Sequence, residues 1–159
     1  MRSPTKEFLA HVVEFFVPGT AAPGGSKKAF SHAVTHKIIV MDTGKNTAAW
    51  RNAVAIEAVR AMKGRAPVVA NVPLRVLYEF GFMRPKGHYG TGKRAGVLRE
   101  WVPDWVTVRP DLTKLVRAAE DACTGIVWAN DACVVMQECG KFYVEQNPGM
   151  HIYVWGLEE

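Results

Sequence analysis

The segment from Val108 to Asp131, VRPDLTKLVRAAEDACTGIVWAND, constrains the fold more than any other part of the chain. Pro110 disfavours helix in the residue before it, and Asp111 suits the N-cap or first turn of a helix that follows. Gly125 stands where such a helix ends. Apolar residues between them form one stripe, made of Leu112, Leu115, Val116, Ala119, Ala122 and Cys123. A helix with a single apolar face packs against another layer, so we expect this helix to lie on a sheet.

Runs rich in β-branched and aromatic residues surround this helix and predict strands. They are HVVEFFVPG, KIIVMD, VPLRVLYEFGFM, MHIYVWG and the pair ACVVMQEC and KFYVEQ, the last two being separate strands or one strand bent at Gly140. TGKNTAAWRNAVAIEAVRAMKG predicts a second helix, and TAAPGGSKKAFSHAVTH a loop. The order β-β-α-β-α-β-β predicts an α+β fold, a mixed sheet packed with two main helices in a single domain over residues 1–159.

The chain carries a net charge of +5 and has a pI near 9.2. A basic balance suits a polyanionic partner such as nucleic acid, although many other proteins share it.

The three cysteines form no Cys-x-x-Cys pair, which argues against both a disulfide framework and a zinc site. His32 and His36 have the only metal-type spacing among the histidines, and their loop context favours chance. We see neither a signal peptide nor a membrane span, and expect a cytoplasmic protein.

Residues 84–108 form a long, basic, Gly-rich segment without periodicity, which we expect to be a functional or mobile loop. Within it, GHYGTGK approaches a phosphate-binding P-loop. Arg94 stands where a P-loop has Ser or Thr, and Pro103 limits any helix after it, so no nucleotide cofactor is expected. A flexible basic loop whose glycines let the backbone approach phosphates is the better interpretation. Trp101 and Trp105 in this loop, and Trp128 after it, would either stack on unpaired bases or pack in the core.

Asp111 and Asp131 have two interpretations. They are a helix cap and a turn residue, or they are two carboxylates that meet at one sheet edge and hold Mg²⁺. An ion there would activate water for attack on a phosphodiester.

The stretch RPDLTKLVRAAEDACTGIVWANDACVV resembles the signature of the RusA-type Holliday junction resolvases. That signature is an Arg/Lys-Pro-Asp run leading into Asp-x-Asp-Asn, a Lys, an Asp-x-Leu-x-Gly segment, and Asp-Asp before a strand. The resemblance extends in outline over most of the chain. It implies a small homodimeric, Mg²⁺-dependent endonuclease of phage or prophage origin, with Mn²⁺ as a substitute ion, that nicks four-way DNA junctions symmetrically in recombination and repair.

By this resemblance Asp111 matches the first catalytic aspartate and Asp131 the last. Thr113 replaces the second aspartate and Arg117 the lysine, while Asn130 replaces the first residue of the Asp-Asp pair. The missing negative charge should weaken Mg²⁺ binding. Asp121 lies too far along the helix to share an ion with Asp111 and is expected to pair with Arg117. A replacement ligand would come from Glu79, Glu138 or a water.

The resemblance therefore predicts that Asp111, Asp131, Arg117 and Thr113 form the catalytic site. DNA phosphates would be contacted by basic residues, namely Lys27, Lys28, Arg84, Lys86, His88, Lys93, Arg94, Arg99, Lys114 and Lys141. The departures at Thr113 and Asn130 leave an alternative open: a protein on the same scaffold that binds branched DNA without cutting it.

Overall fold

A computed structural model of the chain describes residues 9–25, 27–31, 33–35, 37–42 and 46–157. This part of the chain contains six strands and two α-helices. They are β1 (Leu9–Pro18), β2 (Lys27–Ser31), β3 (Ile38–Asp42), α1 (Thr47–Met62), β4 (Leu74–Met83), α2 (Leu112–Cys123), β5 (Val134–Val144) and β6 (Gly149–Leu157).

Four strands form one mixed sheet in the order β1-β6-β4-β5. β6 pairs antiparallel with both β1 and β4, whereas β4 and β5 are parallel. A parallel pair needs a connection that returns the chain to the starting end of the sheet, and α2 lies in that connection. β2 and β3 form a separate antiparallel ribbon.

Both helices cover one face of the sheet and enclose the core. β4 alternates along its length, and its inward side chains Leu74, Val76, Tyr78 and Phe80 are fully buried. On α2 the predicted stripe is confirmed at Leu115, Val116, Ala119 and Cys123, all buried in the same cluster. The structure therefore confirms the predicted α+β class, with one mixed sheet and two main helices.

The structure differs from the predicted elements at β2 and decides between the two alternatives left open for β5. The segment expected to be a loop contains β2, whose residues pair with β3 from Lys27–Asp42 to Ser31–Ile38. Because β2 is stabilised by its pairing with β3, the Gly, Pro and Ser content of the segment predicted a loop and gave no sign of the strand. β5 runs through Gly140 as one strand, because the parallel partner β4 supports it on both sides of the glycine. His32 and His36 lie outside the described residues.

The other face of the sheet carries a row of aromatic side chains. The rings of Phe16 and His151 lie 4.8 Å apart, those of His151 and Tyr153 5.6 Å, and those of Tyr153 and Trp155 6.0 Å. Partial burial raises the pKa of the Tyr153 hydroxyl, and the negative charges of Glu79 and Glu14 raise it further. In the described residues, neither helix is long and apolar enough to cross a membrane.

Candidate active site and basic loop

The carboxylate of Asp111 is open to solvent at the start of α2. Asp111 occupies the N-cap position, and its backbone carbonyl accepts hydrogen bonds from the amides of Lys114 (3.1 Å) and Leu115 (3.2 Å). Its side chain makes no capping hydrogen bond and is 54% exposed, with Lys114 Nζ 3.1 Å from Oδ2. The backbone carbonyl of Asp111 thus accepts the first hydrogen bonds of the helix, while the side-chain carboxylate remains available for a ligand.

Lys141 on β5 fixes the segment that leads into Asp111. Its ammonium group donates hydrogen bonds to the carbonyls of Val108 (2.6 Å) and Pro110 (2.7 Å). The expected contact of Lys141 with a DNA phosphate is therefore not supported by this geometry, because two of its three donors are already engaged. Lys141 holds the position of Asp111.

Positive groups surround Asp111. A cleft of about 410 Å³ is lined by Pro23, Arg109, Pro110, Asp111 and Lys114. The loop before β2 closes one side, where the amide of Gly24 donates to the carbonyl of Lys114 at 2.8 Å. At Gly25 an added Cβ would lie 3.3 Å from the side chain of Arg117, so the glycine leaves room for that guanidinium. A carboxylate flanked by cations matches the charge pattern that a phosphodiester requires.

Asp131 lies toward the other end of α2. It begins the short turn Asp131–Cys133, which Asn130 caps by accepting a hydrogen bond from the amide of Ala132 at 2.9 Å. Glu120 is nearby: its pKa is raised mainly by burial, then by the negative charges of Asp131 and Asp121. Gln137 on β5 donates to Glu120 at 2.7 Å. Asp131 and Glu120 therefore form an acidic pair distinct from Asp111.

The expected meeting of Asp111 and Asp131 at one sheet edge is not found. Glu120 lies nine positions beyond Asp111, about 14 Å along the helix axis. β5 gives a second measure, because Lys141 contacts Pro110 and Gln137 contacts Glu120, about 13 Å apart along the strand. The reason is topological: β5 starts at the same end of the sheet as its parallel neighbour β4, whereas Asp111 lies near the end where both strands finish.

The spacing along α2 and β5 therefore does not support a magnesium ion bound by both aspartates within one protomer. Among residues 9–157, in the ranges that the structure describes, no three His, Cys, Asp or Glu side chains are grouped so as to hold a metal ion. Thr113 is exposed on the first turn of α2, and Arg117 is exposed one turn later.

The acidic residues that were considered as replacement ligands lie away from Asp111 and contact other groups. Glu138 pairs with Arg75, and Glu79 lines a cleft with Phe16 and His151, so both lie on the aromatic face of the sheet and not beside α2. Asp121 pairs with Arg51 of α1, and not with Arg117 as expected. The tertiary contact between the two helices overrides the pairing within α2.

Residues 84–108, which we call the finger, fold back onto β5. At the base of the finger, Arg84 is 7% exposed; it binds Asp104 at 2.6 Å and the carbonyl of Pro103 at 2.8 Å, over the ring of Tyr143. The ring of His88 packs edge-on against Tyr143 at 4.9 Å. Arg84 and His88 therefore anchor the finger, and this geometry does not support their expected contacts with DNA phosphates.

The finger forms turns and backbone hydrogen bonds of its own. Two three-residue 3-10 turns, Lys86–His88 and Gly92–Arg94, replace the helix that should follow a P-loop, so the near-match is rejected. The remaining cations project outward: Lys86, Lys93, Arg94 and Arg99 are all exposed. These four, with Lys114, remain candidates for phosphate contacts, whereas the side chains of Lys27 and Lys28 lie outside the described atoms.

The tryptophans separate into two groups. Trp128 is fully buried and donates to Thr124 Oγ1 at 3.1 Å, which confirms core packing for this residue. Trp101 and Trp105 are 75% and 65% exposed on the finger.

Burial raises the pKa of the Cys123 thiol to about 12, which makes it unreactive, and none of the cysteines is in a disulfide.

Sequence reasoning missed the pairing of Glu120 with Gln137 and the anchoring of Arg84 by Asp104 and Tyr143. The alternation of Gln137, Cys139 and Lys141 in an apolar strand indicated polar groups facing one side of β5. No sequence signal identified the partner of Arg84, because Asp104 lies twenty residues away in a segment without periodicity.

Comparison with known families places this geometry in context. The family model for endodeoxyribonuclease RusA matches residues 18–155, from the end of β1 to β6. No curated protein matches the chain. Since the matched residues span most of the chain, including α2 and both aspartates, the protein belongs to the RusA family of junction-resolving endodeoxyribonucleases.

Proposed function

We propose that the protein is a divalent-metal-dependent endonuclease that resolves four-way and related branched DNA by symmetric nicking as a homodimer. The observation that supports this most directly is the exposed carboxylate of Asp111, which lies in a cleft with Arg109 and Lys114 at the start of the signature helix. A phosphodiester entering this cleft would meet two cations and one acid group.

The residues around the cleft would have separate roles. Asp111 would contribute one carboxylate to a divalent cation, which would supply the activated water and charge neutralisation that phosphodiester hydrolysis needs. Thr113 would orient a water through its hydroxyl. Arg117, one turn along α2, would steady the scissile phosphate through a bidentate contact.

The homodimer would also complete the acidic site. Because Asp111 and Asp131 lie toward opposite ends of α2, an ion that both of them bind would have to lie between two protomers. If the two-fold axis of the dimer is perpendicular to α2 and places the two α2 helices side by side, the helices are antiparallel, and the start of one faces the end of the other. Asp111 of one protomer would then approach the partner subunit's Asp131, and two equivalent sites would act on the two matching strands of a junction.

DNA would be held by the outward cations of the finger and by Lys114, with Lys27 and Lys28 as further candidates. Each phosphate contact of this kind contributes to affinity without selecting a sequence. Binding should therefore weaken steeply as salt is raised.

The test is a nicking assay on a synthetic four-way junction with Mg²⁺ or Mn²⁺, beside a linear duplex of the same sequence. Paired nicks should appear on the junction, and Asp111→Asn and Asp131→Asn should each abolish them. Glu145→Gln, which removes an exposed carboxylate in the turn between β5 and β6, should nick as the wild type does.

One alternative has a specific observation in its favour. Thr113 and Asn130 remove two of the acid groups in the family pattern, and the two remaining aspartates are separated within a protomer. A protein that binds branched DNA without cutting it needs only the basic surface. Tight junction binding with no nicks in either metal would establish this alternative.

A further inference from the structure

The outer part of the finger contains a cleft that the proposed chemistry at Asp111 does not use. It measures about 720 Å³ and is lined by Gly90, Thr91, Arg94, Val97, Leu98, Arg99, Glu100 and Trp101. It is therefore large enough for one nucleotide.

The cleft joins an exposed aromatic ring to cationic groups. The indole of Trp101 is 75% exposed, and the guanidinium carbon of Arg99 lies 5.9 Å from its ring centroid. Arg94 supplies a second cation, and Glu100 is the single acid on the lining. A ligand that suits both the aromatic ring and the cations has a flat ring and a negative charge.

Backbone hydrogen bonds form the cleft before any ligand binds. The amide of Gly90 donates to Val97 at 2.9 Å, and the amide of Arg99 donates to His88 at 3.0 Å. The side-chain Nε of Arg99 is held by the carbonyl of Tyr89 at 3.1 Å, which leaves its terminal nitrogens facing outward.

Gly90 is needed for this arrangement. A Cβ there would lie 2.6 Å from the carbonyl oxygen of Arg94 and 2.8 Å from its Cβ, so no other residue fits without moving the turn. The close approach places Arg94 on the same side of the finger as Arg99 and Trp101. A preformed site of this kind binds without the cost of ordering a loop.

We propose that this cleft binds one unpaired nucleotide of branched DNA, with the base stacked on Trp101 and its phosphate between Arg94 and Arg99. The proposal rests on the nuclease function proposed above and names the element that distinguishes a junction from a duplex. Bases within a duplex are already stacked on both faces and cannot lie on Trp101, whereas bases at a branch point can. Glu100 would accept a hydrogen bond from a base amino group at the cleft wall.

The finger is joined to the candidate active site by a short return segment. Ten residues lead from Trp101 to Asp111, and Lys141 holds the last of them through the carbonyl of Pro110. An extended segment of that length spans at most about 35 Å, so one DNA branch can contact both sites. Binding of an unpaired base at Trp101 would thus set the register of the phosphate presented to Asp111.

The experiment compares Trp101→Ala and Trp101→Phe with wild type for binding to three probes: a single-stranded oligonucleotide, a four-way junction and a linear duplex. Trp101→Ala should weaken binding to the first two by about tenfold, the scale of one lost base–aromatic stack, and leave the duplex unchanged. Trp101→Phe should restore most of the loss. A 2-aminopurine at the branch point should change its fluorescence on binding wild type and Trp101→Phe, but not Trp101→Ala.

Lys86→Ala is the matched control, since Lys86 is an exposed finger cation outside the cleft and should weaken binding to all three probes alike. Equal affinity of Trp101→Ala for the junction, or an equal loss for junction and duplex, would overturn the nucleotide site. These binding results do not depend on cutting: loss of nicks in Asp111→Asn tests the nuclease, and the probe pattern of Trp101→Ala tests the cleft.

Discussion

Lys141 Nζ lies 2.7 Å from the carbonyl oxygen of Pro110, and this contact joins the sheet to the residue that precedes Asp111. β5 is an edge strand, and the return leg of the finger pairs with it, since the amide of Val106 donates to Lys141 and that of Tyr143 to Asp104. The sheet, the finger and the start of α2 therefore meet at Lys141. A shift in any one of them moves the carboxylate of Asp111.

Replacement of Lys141 by Met tests whether this ammonium group is an anchor or a DNA contact. The variant keeps the aliphatic stem and removes a charged donor from two carbonyls, which should lower the free energy of unfolding by about 1–3 kcal/mol. Denaturant unfolding measures that loss. The salt dependence of junction binding should stay the same, whereas loss of a phosphate contact would reduce the slope by about one.

The fold was largely predictable from local patterns. The stripe on α2, the alternation in β4 and the glycine after Cys123 are properties of short segments, and each element was found where its pattern indicated. β2 was missed because Lys27–Ser31 has no strand pattern of its own and depends on the β3 partner. The conformation of the finger was not predicted for the same reason. It depends on contacts of Arg84 with Asp104 and Tyr143, which are distant from Arg84 in sequence.

Arg84→Met should release the base of the finger. Arg84 is nearly buried whereas Asp104 is 83% exposed, so the change removes hydrogen bonds without leaving a buried charge. We expect faster cleavage by chymotrypsin at Tyr89 and Trp101, and a loss of about 1–3 kcal/mol in stability. Lys93→Met, at an exposed position on the same finger, should leave the digestion rate unchanged. Equal digestion of the two variants would show that Arg84 does not anchor the loop.

Thr113→Asp should restore the acid group that the family pattern contains. Thr113 is exposed in the first turn of α2, where a negative charge also interacts favourably with the helix dipole, so the variant should fold as stably as wild type. We expect faster nicking and saturation at a lower Mg²⁺ concentration. Thr113→Asn has the same shape without the charge and should show neither effect. No change with Asp would mean that Thr113 does not adjoin the ion.

Glu120 should make stability depend on pH. Its pKa lies above the ordinary value of 4.5, first because of burial and then because of Asp131 and Asp121. The folded protein therefore holds this proton more tightly than the unfolded chain, and the resulting stability is full below pH 4.5 and is lost as the pH rises through the raised pKa. Glu120→Gln cannot lose a proton, and its amide oxygen can still accept from Gln137.

The stability of Glu120→Gln relative to wild type should thus rise between pH 4 and pH 7, as followed by thermal unfolding, by about 2 °C or less in Tm. Glu145→Gln, at an exposed turn position, provides the comparison and should show a flat difference. A Glu120→Gln curve parallel to that of wild type would mean that neither burial nor the neighbouring carboxylates raise the pKa of Glu120 in the folded protein.

The candidate site was less predictable than the fold. The resemblance singled out Asp111 and Asp131, but the expectation that they meet assumed that both ends of the helix connection lie at one edge of the sheet. The direction of β5 relative to β4 decides this, and a sequence of strands and helices does not contain that direction. The same limit applies to Asp121, whose partner Arg51 comes from the other helix.

Mixed dimers of Asp111→Asn and Asp131→Asn chains test whether two protomers share each site. If an ion lies between Asp111 of one protomer and the partner's Asp131, a mixed dimer contains one site with both carboxylates and one with neither. Two chains that are inactive alone should then recover up to half of the wild-type nicking rate, with single nicks replacing paired ones. Co-expression with two different affinity tags, followed by sequential purification, isolates the mixed dimer.

A tagged pair of Asp111→Asn chains, prepared in the same way, is the control and should remain inactive. If each site is formed within one protomer, every site in the mixed dimer lacks one carboxylate, and no nicks should appear. Mn²⁺ binding gives a second measure that does not depend on cutting: the mixed dimer should bind about half as many ions as wild type at saturation, and the Asp111→Asn pair none. Because about 14 Å of α2 lie between Asp111 and Glu120, whose charge Asp131 influences, we expect recovery.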